Sequence, residues 1–272
     1  MAVEGTSGNG IGGALERLGR ATVRGVEEWG YAFALLLETL YWILAGHFHR
    51  QPVRPAAVAA RMMTIGVQAV PILAVLTFSI GVMLAIQGIH TLKVFGAESQ
   101  VVVGIALSVT REFGPMITGV LVAGRSGSAL TAEIGTKQIS QEIDALRVMG
   151  INPLRYLVAP ALLAMLVMVP ALTILADLMG LLGGAVYTAL AMDLSIYAYL
   201  DRTAAILQWD DVRQGLVKSV VFAIIITLVA VTNGFAVEGG AEGVGRATTR
   251  AVVLSIAYIV VADMLFTFFL TR

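Results

Sequence analysis

The sequence predicts an all-α integral membrane protein: an N-terminal helix lying in the membrane interface, five membrane-spanning helices, and a polar helix between the second and third spans. Three observations lead there. Several apolar runs approach or exceed the ~20 residues that carry an α-helix across a hydrocarbon core. Of the 272 residues, 58% are hydrophobic and 13% charged, about half the charge of an ordinary soluble domain. Lys and Arg fall unevenly on alternate connections. Zero formal net charge supplies no global field for nucleic acid, and the absence of cysteine excludes disulfides, thiolate metal sites and Cys nucleophiles.

Residues 1–27 read as a flexible, polar N-terminal segment. Gly8-Asn9-Gly10-Ile11-Gly12-Gly13 matches GxGxxG, but no strand precedes it, so it reads as tail rather than as a dinucleotide loop. The remainder, 28–272, reads as one domain. Its first helix, about 28–50, has an apolar part too short to span. Trp29, Tyr31, Tyr41 and Trp42 stand at the two ends of that part, which places it in the interface plane. His47 and His49 follow without a third ligand nearby and suit a basic interfacial turn better than a metal site.

The first span is read at about 64–89 and the second at about 101–123. Small residues from Gly119 to Ala129 mark either close helix packing or a helix break. Across 131–149, Ile139, Ile143, Leu146 and Met149 (after Ile134) recur at helical spacing among Glu133, Lys137, Glu142, Asp144 and Arg147. The spacing predicts one amphipathic helix. The third run, about 153–190, exceeds one crossing and contains Pro160, Pro170 and Asp177. Residues 191–213 read as short interfacial helices, followed by the fourth span at about 216–237 and the fifth at about 251–270.

With five spans, one side holds Arg17, Arg20, Arg24, Arg50, Arg54, Arg61, Arg125, Lys137, Arg147, Arg155, Arg246 and Arg250. The other holds Lys93, Arg202, Arg213, Lys218 and Arg272. The basic excess predicts a cytosolic N-terminus, an external C-terminus and a cytosolic 131–149 helix.

Arg111 and Glu112 sit near the centre of the second span, Asp263 mid-way along the fifth, and Lys218 near the outer end of the fourth. A charge at bilayer centre costs about 2.5–3.5 kcal/mol on insertion scales, so these four must face a bundle interior or a wet cavity and find partners. They either hold helices together or line a substrate path, and Gly114-Pro115 weakens the helix beside the first pair. No GxxxxGK[ST] loop, HExxH motif or Ser-His-Asp arrangement is present. The chain therefore reads as non-enzymatic, with no catalytic or metal residues, and any ATP it uses is hydrolysed by another chain.

The run from REFGP (111–115) through AGRSGSALTAEIGT (123–136) to QEIDALRVMGINPLRYLVAP (141–160) resembles the signature of the MlaE (YrbE) family of ABC-transporter permeases. Gln87-Gly88, KSVVFAI (218–224), NGF (233–235) and GVGRATTRAVV (243–253) support it, so the resemblance covers roughly 60–270. It implies a homodimer in the bacterial cytoplasmic (inner) membrane, bound to two ATPase subunits that carry the ATP and Mg and to an extracytoplasmic MCE-domain substrate-binding protein. Such an assembly moves phospholipids or related lipids between that membrane and the outer envelope. The resemblance makes the N-terminal helix an elbow helix and the 131–149 helix the coupling helix that seats in the ATPase. It places Arg111, Glu112, Lys218 and Asp263 at polar positions of the membrane core. Two other classes fit the pattern: an ion-coupled secondary transporter using Glu112 or Asp263, which would call for inverted repeats that are not visible, and a non-transporting scaffold.

Overall fold

The computed structural model describes residues 11–46, 52–192 and 194–270, and among them every regular element is helical. Gly8–Gly10, His47 and His49 lie outside the described residues. Five helical stretches are long and apolar enough to cross a membrane: Pro55–Lys93, Glu98–Ile139, Leu154–Met192, Trp209–Phe235 and Gly240–Phe269.

Helix α1 (Ile11–Ala45) runs ahead of them as one continuous helix. It begins well before residue 28, because Leu15, Leu18, Val23 and Val26 already keep helical spacing. The first span comprises α2 (Pro55–Ile65), a short 3₁₀ turn and α3 (Val70–Lys93). It starts nine residues before the Thr64 expected from hydropathy, since Arg54 is extended and Pro55 opens the first turn, where its missing N–H costs nothing.

The second span is a single rod with two wide turns. It comprises α4 (Val101–Ser108), a π turn at Val109–Phe113, α5 (Gly114–Val122), a second π turn at Ala123–Gly127 and α6 (Ser128–Ile139). The small residues at its inner end therefore mark close packing and not a break: Gly119 lies against Phe222 and Ile259, and Gly127 against Ile226. The rod ends at Ser140, and Gln141 takes a left-handed backbone, φ 59°. Helix α7 (Glu142–Val148) then forms one short piece. The helix expected over 131–149 is thus two helices, α6 and α7, because the hydrophobic period runs straight across a backbone reversal it cannot register.

Gly150, φ 73°, closes α7 by donating to the Arg147 carbonyl at 3.0 Å, while Ile151 N–H reaches Leu146 O at 2.9 Å. Asn152 Oδ1 accepts from Leu154 N–H at 2.8 Å and starts the third span. That span, a π turn (Leu154–Val158) and α8 (Ala159–Met192), passes both prolines without breaking. Helix α9 (Ile196–Ile206) is capped by Ser195 Oγ, and α10 (Trp209–Phe235) by a reciprocal box between Gln208 and Asp211. Helix α11 (Gly240–Leu270) opens at the second of two positive-φ glycines, Gly239 and Gly240.

Three apolar layers stack along the bundle. The middle layer joins Leu73, Val122, Met165, Leu172, Phe222 and Ile259 from five helices. One end layer gathers Leu35, Ile134, Ile143, Leu157 and Val231 around α7; the other gathers Val102, Ile105, Ala185 and Tyr199 around α9. α3 and α8 touch backbone to backbone, and a Cβ on Gly81 would collide with the Gly180 carbonyl.

Candidate functional site: a buried charge cluster and the rod that leaves it

Lys218 is fully buried on α10, and its ammonium meets four oxygens. Nζ donates to Glu112 Oε2 at 2.6 Å, to the Arg111 carbonyl at 3.0 Å and to Thr267 Oγ1 at 3.0 Å. Asp263 Oδ1 lies 3.0 Å away as an ion-pair contact. Thr267 Oγ1 in turn sits 3.0 and 3.1 Å from the two Glu112 oxygens. The Arg111 carbonyl is available for a local reason. It lies in the wide π turn at Val109–Phe113, and Pro115 just beyond brings no N–H, so the lysine serves as its donor.

Arg111 does not join this group. Its Nε donates to Asp211 Oδ1 at 2.7 Å, and Nη2 lies 2.5 Å from the same oxygen. Asp211 Oδ2 accepts from the Gln208 N–H at 2.8 Å, so one carboxylate caps α10 and ties it to the second span. Of the four intramembrane charges singled out in the sequence, the structure places Glu112, Lys218 and Asp263 in one group and the Arg111 side chain on Asp211, an acid that sequence reasoning treats as interfacial. The Gln208-x-x-Asp211 spacing was the available signal. With both carboxylates ionised, the Lys218 group carries one negative charge in excess, which a proton or a cationic group on a ligand would balance.

Asp177 on α8 is 9% exposed and its Oδ1 has no hydrogen-bond partner. It presses on Gly114 so closely that a Cβ there would overlap the carboxylate.

At the other end of the rod, Glu133 on α6 accepts from both Nη atoms of Arg61 at 2.5 and 2.6 Å, locking the second span to the first. Lys137 on α6 donates to Glu142 Oε2 at 2.9 Å across the Gln141 reversal, and Ser140 Oγ is 3.2 Å from Glu142 Oε1. The Lys137 ammonium and these hydrogen bonds hold the Glu142 carboxyl below its usual range. Asp144 and Arg147 pair with each other at 3.0 Å on the open face. Ile134 and Ile143 are fully buried, whereas Val148, 89% exposed, and Met149 point outward. Asn152 Nδ2 donates to Glu38 Oε1 at 2.9 Å, joining the α7–α8 loop to α1.

Residues 58–269 match the family model described as Permease MlaE. The chain belongs to the MlaE permease family. A probable ABC transporter permease protein of Rickettsia felis is 37% identical over 218 residues, 80% of this chain and 84% of that one. The intermembrane phospholipid transport system permease protein MlaE of Haemophilus influenzae is 34% identical over 208 residues, 76% of this chain and 80% of the relative. Protein TRIGALACTOSYLDIACYLGLYCEROL 1, chloroplastic, of Arabidopsis thaliana is 35% identical over 190 residues, 70% of this chain and 54% of that protein. With its five apolar spans, this MlaE permease is a multi-pass protein of the bacterial inner membrane.

Proposed function

We propose that the chain is the membrane subunit of an ATP-driven lipid transporter, moving phospholipids or related lipids between the inner membrane and an extracytoplasmic MCE-domain protein. In this reading two copies of the permease assemble with two ATPase subunits, which bind ATP and Mg. The N-terminus and α7 face the cytosol, the C-terminus faces outward, and α1 is an elbow helix at the cytosolic interface.

The observation that supports it is the continuity of the second span. Glu112 in the buried cluster and Glu133 and Lys137 beside α7 lie on one helical rod, 21 residues apart from Glu112 to Glu133, or about 32 Å at 1.5 Å per residue. A packed rod shifts as a unit, so a push on α7 by a closing ATPase reaches the Lys218–Glu112–Asp263 contacts directly. The two π turns beside Glu112 and Arg125 are where such a rod has room to change register.

In this reading Val148 and Met149 supply the apolar contact to the ATPase, and Glu142, Asp144 and Arg147 its polar surround. The test is reconstitution of the complete transporter in vesicles with Val148→Glu and Met149→Glu introduced together. ATPase stimulation by the permease and lipid movement should both fall at least tenfold. Unchanged coupling, or an outer-face location of α7 by labelling in oriented vesicles, refutes the reading.

A further inference from the structure

At the end of the bundle that carries α7, a cavity of about 550 Å³ opens between the start of the first span, the end of α6 and the start of the third span. Its wall holds four cations, Arg54, Arg61, Lys137 and Arg155, and one carboxylate, Glu133; with Glu142, which pairs with Lys137, two positive charges stand in excess. Glu133 uses both oxygens on Arg61, and Lys137 is held by Glu142, so these two cations are fixed in place on the wall. Arg155 lies 6.0 Å above the Trp42 ring. No ion pair among the described residues engages Arg54. Beside these cations the wall turns apolar, at Val53, Ala57, Leu157 and Pro160.

We propose that this cavity is a binding site for the headgroup of an anionic phospholipid, held as a resident lipid of the leaflet on the α7 side. The chemistry matches in two parts. The guanidinium groups of Arg54 and Arg155 recognise phosphate oxygens by charge and by hydrogen bonds. The apolar half accepts the first carbons of acyl chains entering from the bilayer. A basic recess between spanning helices at a membrane face is the geometry that selects acidic lipids over zwitterionic ones. The bound lipid would brace α2, α6 and α8 together directly beside the Lys137–Glu142 hinge. The site lies at the far end of the rod from the Lys218 cluster, so it is a separate locus from any transported molecule there.

The full-length chain, extracted from bilayers of either phosphatidylglycerol or phosphatidylcholine, should retain one phosphatidylglycerol per chain in native mass spectrometry, at least tenfold over phosphatidylcholine. Arg54→Gln with Arg155→Gln should weaken that retention about thirtyfold, whereas Arg54→Lys with Arg155→Lys should keep most of it. Should the double glutamine variant not fold, Arg54→Gln alone should lower retention about fivefold, since Arg54 is exposed and pairs with no carboxylate among the described residues. Millimolar glycerol 3-phosphate or inorganic phosphate should leave the lipid in place. Equal retention of both lipids, or retention unmoved by the glutamine variants, overturns the site. Displacement by the soluble phosphates overturns its assignment to a lipid and makes the occupant a free anion. Neither result depends on whether the assembled complex transports lipid.

Discussion

Replacing Lys218 with methionine removes the one cation, among the described residues, from a group that otherwise consists of two carboxylates, a hydroxyl and the Arg111 carbonyl. The side chain is nearly isosteric, so the cavity term is small and the loss is electrostatic. Removing one partner of a buried ion pair costs about 3–5 kcal/mol in water-soluble cores, whereas hydrogen bonds between membrane helices average about 0.6 kcal/mol. Here the higher figure is the better guide for Asp263, 13% exposed, and the lower for Glu112, 32% exposed, where solvent replaces part of what the ammonium supplied. The sum is about 4–6 kcal/mol, or a fall of about 8–24 °C in Tm for a chain of this size. Thermal unfolding of the purified full-length protein in detergent reads this directly. The triple variant Lys218→Met, Glu112→Gln, Asp263→Asn should recover most of the loss, because no net charge stays buried. A single variant melting within about 2 °C of the wild type refutes the reasoning, as does a triple variant less stable than the single one.

The triple variant should nevertheless move no lipid in the reconstituted transporter; full transport by it would make these charges structural only. Gly114→Ala should destabilise by about 1–3 kcal/mol through overlap with Asp177, and Asp177→Ala in the same chain should restore most of that Tm, a rescue that shape alone explains. Asp211→Ala removes the α10 cap and leaves Arg111 unpaired, for about 2 kcal/mol and raised amide exchange over the first turn of α10. Glu142, lowered from its ordinary 4.5 by Lys137, keeps the hinge contact intact above that pH. As pH falls through the lowered value the carboxylate protonates and the contact is lost, so amide exchange at 140–143 should rise below about pH 4.5. Glu142→Gln should abolish that dependence.

The five spans were legible because a long apolar run has few other ways to fold in a membrane. Their ends were less so. Hydropathy places Arg61 before the first span, yet it sits inside the helix, where Glu133, 72 positions away, neutralises it. Arg111 and Asp211 pair over a separation of 100 residues, and no local periodicity reports such a match. The division of 131–149 was hidden for a different reason: Ile134 and Ile143 both reach the same apolar layer, so burial keeps its period while the backbone reverses at Gln141. Glu112, Lys218 and Asp263 could be grouped from composition alone, since a charge deep in the bilayer has to seek its opposite.

The proline after Gly114 does more than loosen a helix. By withholding one N–H it leaves a carbonyl oxygen inside the bundle short of a donor, and the lysine of a neighbouring helix supplies one. The helical irregularity is thereby a socket as well as a joint. An alanine at 115 would restore the helix bond and evict the tenant, loosening the grip of the fourth span on the second without altering a single charge.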